Sequence, residues 1–122
     1  MEGEKVFRVS GSQITITAGD TALMAICPDE TGYVPTENDR AIFTARERPG
    51  RRALLEKVLV PEADGVVLVP FESEDTEKLR EREYCWEVRY ALDAVEDEAG
   101  KIVGWRERIT PMVFGTMVVL SA

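Results

Sequence analysis

Between Glu83 and Leu92 the chain reads EYCWEVRYAL, and the spacing of its bulky residues leaves little freedom in the fold. Tyr84, Trp86, Val88 and Tyr90 fall on every second position with Glu87 and Arg89 between them, which is the period of a half-buried β-strand. A helix would scatter those four around its circumference and leave two aromatic rings in water. The strand reading therefore wins, despite the helix formers Glu, Arg and Leu, and the stretch is expected to be the central strand.

Its surroundings read the same way. Lys5 to Ser10, ending at Gly11, predicts a short first strand at a sheet edge. Gln13 to Thr17 alternates Ile14 and Ile16 with threonines, and after a Gly19-Asp20 turn Thr21 to Cys27 resumes an apolar run. Arg40 to Arg46 alternates Ala41, Phe43 and Ala45 against Arg40, Thr44 and Arg46, a strand with one solvated face. Ala53 to Val60 also fits a helical stripe through Leu54, Leu55, Val58 and Leu59, but Pro61 follows directly and the neighbours are strands on short turns, so a strand is expected. Gly65 to Phe71 is β-branched and apolar, with Pro70 placed at its end. Ser73 is expected to cap one helical turn that carries the chain over to Glu83. Asp93 to Gly100 is read as an acidic hairpin loop. Lys101 to Ile109 is the strand that returns along the central one, Thr110 and Pro111 interrupt, and Met112 to Leu120 is the last strand.

The chain has 122 residues, 44% hydrophobic and 31% charged, one domain's length spanning 1–122 and too apolar for disorder. Its net charge is -8, with a pI near 4.6, so duplex nucleic acid and anionic membranes are repelled by the molecule as a whole. The cluster Arg46, Arg48, Arg51 and Arg52 around Pro49-Gly50 reads as a solvated turn. MEGEKVF lacks the basic and apolar regions of an export signal, and no apolar run reaches membrane-spanning length, so a cytoplasmic location is expected.

Chemistry finds few candidates. There is no histidine, which removes the usual general base for a serine or cysteine nucleophile and every histidine-built zinc site. The acidic clusters fall on predicted loops or solvated faces, where an unshifted carboxylate is a poor general acid, and no catalytic residue is assigned. Asp29, Glu30, Glu37 and Asp39 offer oxygens to a hard cation, but their spacing matches no calcium loop; a solvated acidic loop is the better reading, and neither metal nor cofactor is expected. Cys27 and Cys85 form no CxxC motif and are read as reduced, buried thiols, with a bridge as the alternative. Nothing in the sequence identifies a cationic neighbour that would activate Cys85. Trp105 reads as cross-strand packing or as a partner-facing anchor. Tyr33, Val113 and Phe114 are the other apolar residues placed where neighbouring proteins would meet them.

Leu79 followed by Tyr84 resembles the corner of immunoglobulin-like sandwiches, in which a tyrosine at the start of a late strand ties back to the preceding loop; the alternative is that Tyr84 is simply a core aromatic. A wider resemblance runs through GDT at Gly19 to Thr21, DRAIFTAR at Asp39 to Arg46, GVVLVPFESEDTEKL at Gly65 to Leu79, EYCWEVRYAL at Glu83 to Leu92 and a closing strand after Gly115. Together these segments resemble the immunoglobulin-like domain at the N terminus of baseplate upper proteins and related tail proteins of phages and prophages. That family usually has a glycine before the tyrosine, where Arg82 and Glu83 stand here. The expected fold is an all-β, immunoglobulin-like antiparallel β-sandwich of about seven strands with one short helical turn. The resemblance implies a structural, protein-binding subunit of a tail or baseplate, in the virion or the bacterial cytoplasm, with other tail proteins and copies of itself as partners. A carbohydrate- or ligand-binding sandwich, with Trp105 and Tyr33 as a stacking surface, is the alternative.

Overall fold

The computed structural model describes residues 7–26, 36–105 and 107–121, with the backbone alone over 107–114. In chain order the elements are β1 (Phe7–Ser10), β2 (Gln13–Thr17), β3 (Ala22–Ile26), β4 (Arg40–Arg46), β5 (Leu55–Leu59), β6 (Val67–Phe71), α1 (Ser73–Glu77), β7 (Arg82–Leu92), β8 (Val95–Glu96), β9 (Ile102–Gly104) and β10 (Glu107–Leu120). A six-stranded sheet, ordered β1-β2-β10-β7-β4-β5, forms one layer, the β3–β6 pair forms the other, and β8–β9 make a separate hairpin.

The alternation in β7 sets the core. Tyr84, Trp86, Val88 and Tyr90 are all buried, and they meet Phe43 from β4, Met117 and Val119 from β10, and Ile14 and Ile16 from β2. Met24, Ile26, Val67, Val69 and Phe71 close the core from the opposite layer. Phe43 is the bridge: its ring stacks on Trp86 at 5.7 Å between centroids and meets Phe71 edge-on at 5.6 Å, a pair of geometries that favour aromatic contact beyond burial alone.

Strands three and six stand against strands one, two, four, five, seven and ten, and the expected all-β sandwich with one short helix holds. Eight strands build the two layers, six in one and two in the other, against about seven expected, and the β8–β9 hairpin brings the described strands to ten. The corner holds as well. Leu79 is buried, and the Tyr84 hydroxyl donates to the Arg80 carbonyl at 2.9 Å, so Tyr84 is more than a core aromatic.

The sheet departs from the expected one in four places. It is not wholly antiparallel: β2 crosses to the large layer and runs parallel to β10, from Gln13 opposite Thr116 to Thr17 opposite Leu120. The cap of α1 is Glu72, held extended, while Ser73 is already helical; the Asp75 carboxylate accepts the Glu72 backbone N–H at 2.7 Å and closes the turn. Asp93 to Gly100 is not all loop, because β8 starts at Val95 and pairs with β9, so Lys101 to Ile109 is split at Trp105 instead of forming one strand. Thr110 and Pro111 do not end a strand. β10 is continuous and absorbs them in a register shift between Ile109 and Val113, where a proline removes no regular ladder bond.

Candidate functional site

The outward face of the large sheet is built by the residues that alternate with the core. On β4 these are Ile42, Thr44 and Arg46, and the register sets them opposite Arg89, Glu87 and Cys85 on β7. Glu56 and Val58 of β5 flank Thr44 and Ile42 on the other side. Two hollows open on this face.

The first, of about 310 Å³, lies at the Arg46 end, against Thr44, Arg46, Cys85, Glu87 and Arg89, with the Pro49-Gly50 turn at its rim. Glu87 is paired with the Arg89 guanidinium. The Cys85 thiol donates to the Arg46 carbonyl at 3.5 Å. Thr44 is only 4% exposed, and neither its hydroxyl nor the buried Nε of Arg46 has a hydrogen-bond partner. Arg48, Arg51 and Arg52 are exposed as a solvated turn requires, whereas Arg46 is half-buried and belongs to the hollow. Cys85 therefore does have a cationic neighbour on its own face, supplied across the ladder from β4.

The second hollow, of about 400 Å³, lies at the other end of the face, between Ile42, Val58 and Ala91 of the sheet and Ile102 and Trp105 beside the hairpin, with Glu56 and Lys101 at its edge. Trp105 is 46% exposed there, on the segment between β9 and β10. Its ring is shared between packing and solvent.

The other layer shows a different surface. ALMAI in β3 and VLVPF in β6 are apolar on both faces: Met24, Ile26, Val67, Val69 and Phe71 point into the core, while Leu23, Ala25, Leu68 and Pro70 face outward. Leu23 pairs with Pro70 and Ala25 with Leu68, so the outward four are contiguous, with Leu23 63% and Leu68 37% exposed. Among the described residues neither strand has a second neighbour in its sheet.

Of the expected contact residues, Trp105 lies at the second hollow. Tyr33 lies outside the described residues. Val113 and Phe114 take register positions opposite Val88 and Glu87, and their side chains are not described. The acids of the Pro28 to Asp39 loop are described from Glu37 onward. Asp39 is buried, and its carboxylate accepts the backbone N–H groups of Thr36 at 2.9 Å and Asp93 at 3.0 Å, tying the loop to the end of β7. Asp93 has φ 50, a left-handed backbone that this contact helps to hold. Among the described residues no group of three or more Cys, Asp or Glu is placed to hold a metal ion. Cys85 is a free thiol, and Cys27 lies outside the described residues. Burial raises the phenol pKa of Tyr84 and of Tyr90, although the Arg80 carbonyl bond opposes the shift at Tyr84. No helix among the described residues is long and apolar enough to cross a membrane.

The sequence marked Trp105 but missed Thr44 and the β3–β6 face. The face had a legible signal, since two strands of unbroken apolar sequence are characteristic of a sheet covered on both sides. Set against protein-family models, curated proteins and solved structures, the chain matches none.

Proposed function

We propose that this chain is a structural, protein-binding subunit of the phage or prophage tail or baseplate kind, acting by assembly with neighbouring tail proteins and with copies of itself, in the virion or in the bacterial cytoplasm before assembly. The observation that carries the reading is the β3–β6 pair, whose outward face of Leu23, Ala25, Leu68 and Pro70 is as apolar as a core face. A contiguous apolar face beside strand edges that are unpaired among the described residues favours a protein neighbour. The resemblance carried by the GDT, DRAIFTAR, GVVLVPFESEDTEKL and EYCWEVRYAL segments directs the choice of neighbour toward tail proteins.

The test is sizing of the purified chain over a wide concentration range, alone and co-expressed with the products of adjacent genes, beside a Leu23→Asp, Leu68→Asp double variant. The chain is expected to associate and the variant to stay folded but apart. A strict monomer at high concentration that also ignores tail proteins would sink the reading.

The second reading, a carbohydrate- or ligand-binding sandwich, is favoured by Trp105 at the rim of an apolar hollow. An aromatic face there suits stacking against a sugar ring. Glycan-array binding that Trp105→Ala abolishes would select it.

A further inference from the structure

A third hollow, of about 530 Å³, lies at the tyrosine corner, where the chain leaves β4 and enters β7. Leu79 and Tyr84 are buried beneath it and Leu54 is half-buried, so its floor is apolar. Arg52, Lys78 and Arg80 stand around that floor, all three exposed, and among the described residues none of them is ion-paired. The one acid that borders the hollow, Glu47, is taken by Arg82 at 2.6 Å. In a chain with 23 acids against 15 bases, a merely solvated surface would interleave the two signs. Glu77, Glu81 and Glu83 lie close by in sequence, yet none of them borders the hollow. The segments that carry the cations are also tied down. The Leu54 N–H donates to the Ala45 carbonyl at 2.8 Å, the Leu79 N–H to the Thr76 carbonyl at 2.9 Å, and the Tyr84 hydroxyl to the Arg80 carbonyl at 2.9 Å. Like charges held around one hollow repel, and an anion between them relieves the repulsion.

We infer that this hollow binds a small organic phosphate, with Arg52, Lys78 and Arg80 around the phosphoryl group and the Leu54–Leu79 floor beneath the organic part. A single guanidinium fork satisfies a carboxylate, whereas three cations on two separate segments suit a dianion with three acceptor oxygens. A volume of about 530 Å³ is far more than the phosphoryl group fills, and it leaves apolar space for what the group is attached to. None of the lining residues belongs to the β3–β6 face, so the site stands or falls independently of assembly through that face.

The experiment follows the backbone amide resonances of Leu54, Lys78 and Arg80 in the full chain during titration, at constant ionic strength, with phenyl phosphate, inorganic phosphate and benzenesulfonate. Phenyl phosphate is expected to move them saturably and inorganic phosphate to move the same ones with lower affinity. Benzenesulfonate, with the same ring and one charge fewer, is expected to bind more weakly than phenyl phosphate. Arg52→Gln, Lys78→Gln and Arg80→Gln are each expected to weaken phenyl phosphate binding about threefold, as loss of one exposed ion pair does, and the triple variant by about tenfold or more. Arg80→Gln keeps the corner, because Tyr84 bonds to the backbone carbonyl there. Arg48→Gln removes the same charge from the turn that carries Arg52 but lies outside the hollow, and it is expected to leave affinity unchanged. The inference is overturned if phenyl phosphate moves none of these resonances, if benzenesulfonate or inorganic phosphate binds as tightly, or if Arg48→Gln weakens binding as much as Arg80→Gln.

Discussion

Tyr84 fastens the start of β7 through one hydrogen bond to Arg80, and its ring is buried beneath the corner. Tyr84→Phe keeps the ring and deletes the bond, so a urea titration is expected to show a loss of about 1 kcal/mol, the usual net worth of such a bond. Ionisation probes the same residue. Burial raises the phenol pKa of Tyr84 and Tyr90 above the ordinary 10.0, so the native state holds these protons more tightly than the unfolded chain does. The stability they contribute is intact below that value and is lost as pH climbs through the native pKa values. Unfolding measured from neutrality into strong alkali should show this decline, with a shallower one in Tyr84→Phe; a flat alkaline profile would contradict the shift. Gly115 is constrained by space and not by φ. A Cβ there would stand 1.9 Å from the Ser12 carbonyl oxygen, which accepts both the Thr116 N–H and the Trp86 indole N–H. Gly115→Ala must push the β1–β2 turn away and break both bonds. A loss of about 3 kcal/mol is expected, the upper part of the range for overpacking, and a variant as stable as the parent would refute the close approach.

The short helix α1 clasps three parts of the chain together. Asp75 accepts the Glu72 N–H and pairs with Lys57 of β5 at 2.7 Å, with both side chains largely buried, while the buried Thr76 hydroxyl accepts the Gly19 N–H from the β2–β3 turn at 3.0 Å. Asp75→Ala removes a cap and a shielded ion pair at once and is expected to cost about 2 kcal/mol, whereas Glu74→Ala, exposed on the same turn, should change the urea midpoint little. Equal effects would mean that Asp75 acts through general charge and not through its two partners. Much of this level could be read from the sequence, because burial imposes a local period: β4 keeps its expected bounds, and Pro61 correctly favoured a strand over a helix for β5. What escaped depended on non-local geometry. The parallel pairing of β2 with β10 has no local signature, and Pro111 signals a break only until the register shift that accommodates it is seen. Thr44 alternates like any solvated strand residue. Its burial comes from the tertiary packing around it, which the period does not report.

Taken whole, the molecule carries a net charge of -8, so copies of it repel one another at any contact. The outward β3–β6 face contributes none of that charge, since Leu23, Ala25, Leu68 and Pro70 are all neutral. Self-association through this face therefore sets an apolar attraction, which salt does not weaken, against a repulsion that it does. At about 0.1 M salt the screening length is only about 10 Å, so most of the repulsion between exposed charges on separate copies is removed. Sedimentation equilibrium at low and high ionic strength should thus show association strengthening with added salt. A basic partner protein would give the opposite sign, because charge attraction would then assist binding and be screened away. If copies of this chain instead fall apart as salt rises, charged surfaces and not the β3–β6 face hold them together. The Leu23→Asp, Leu68→Asp variant separates the cases again: it abolishes the salt-strengthened association and spares the salt-weakened one.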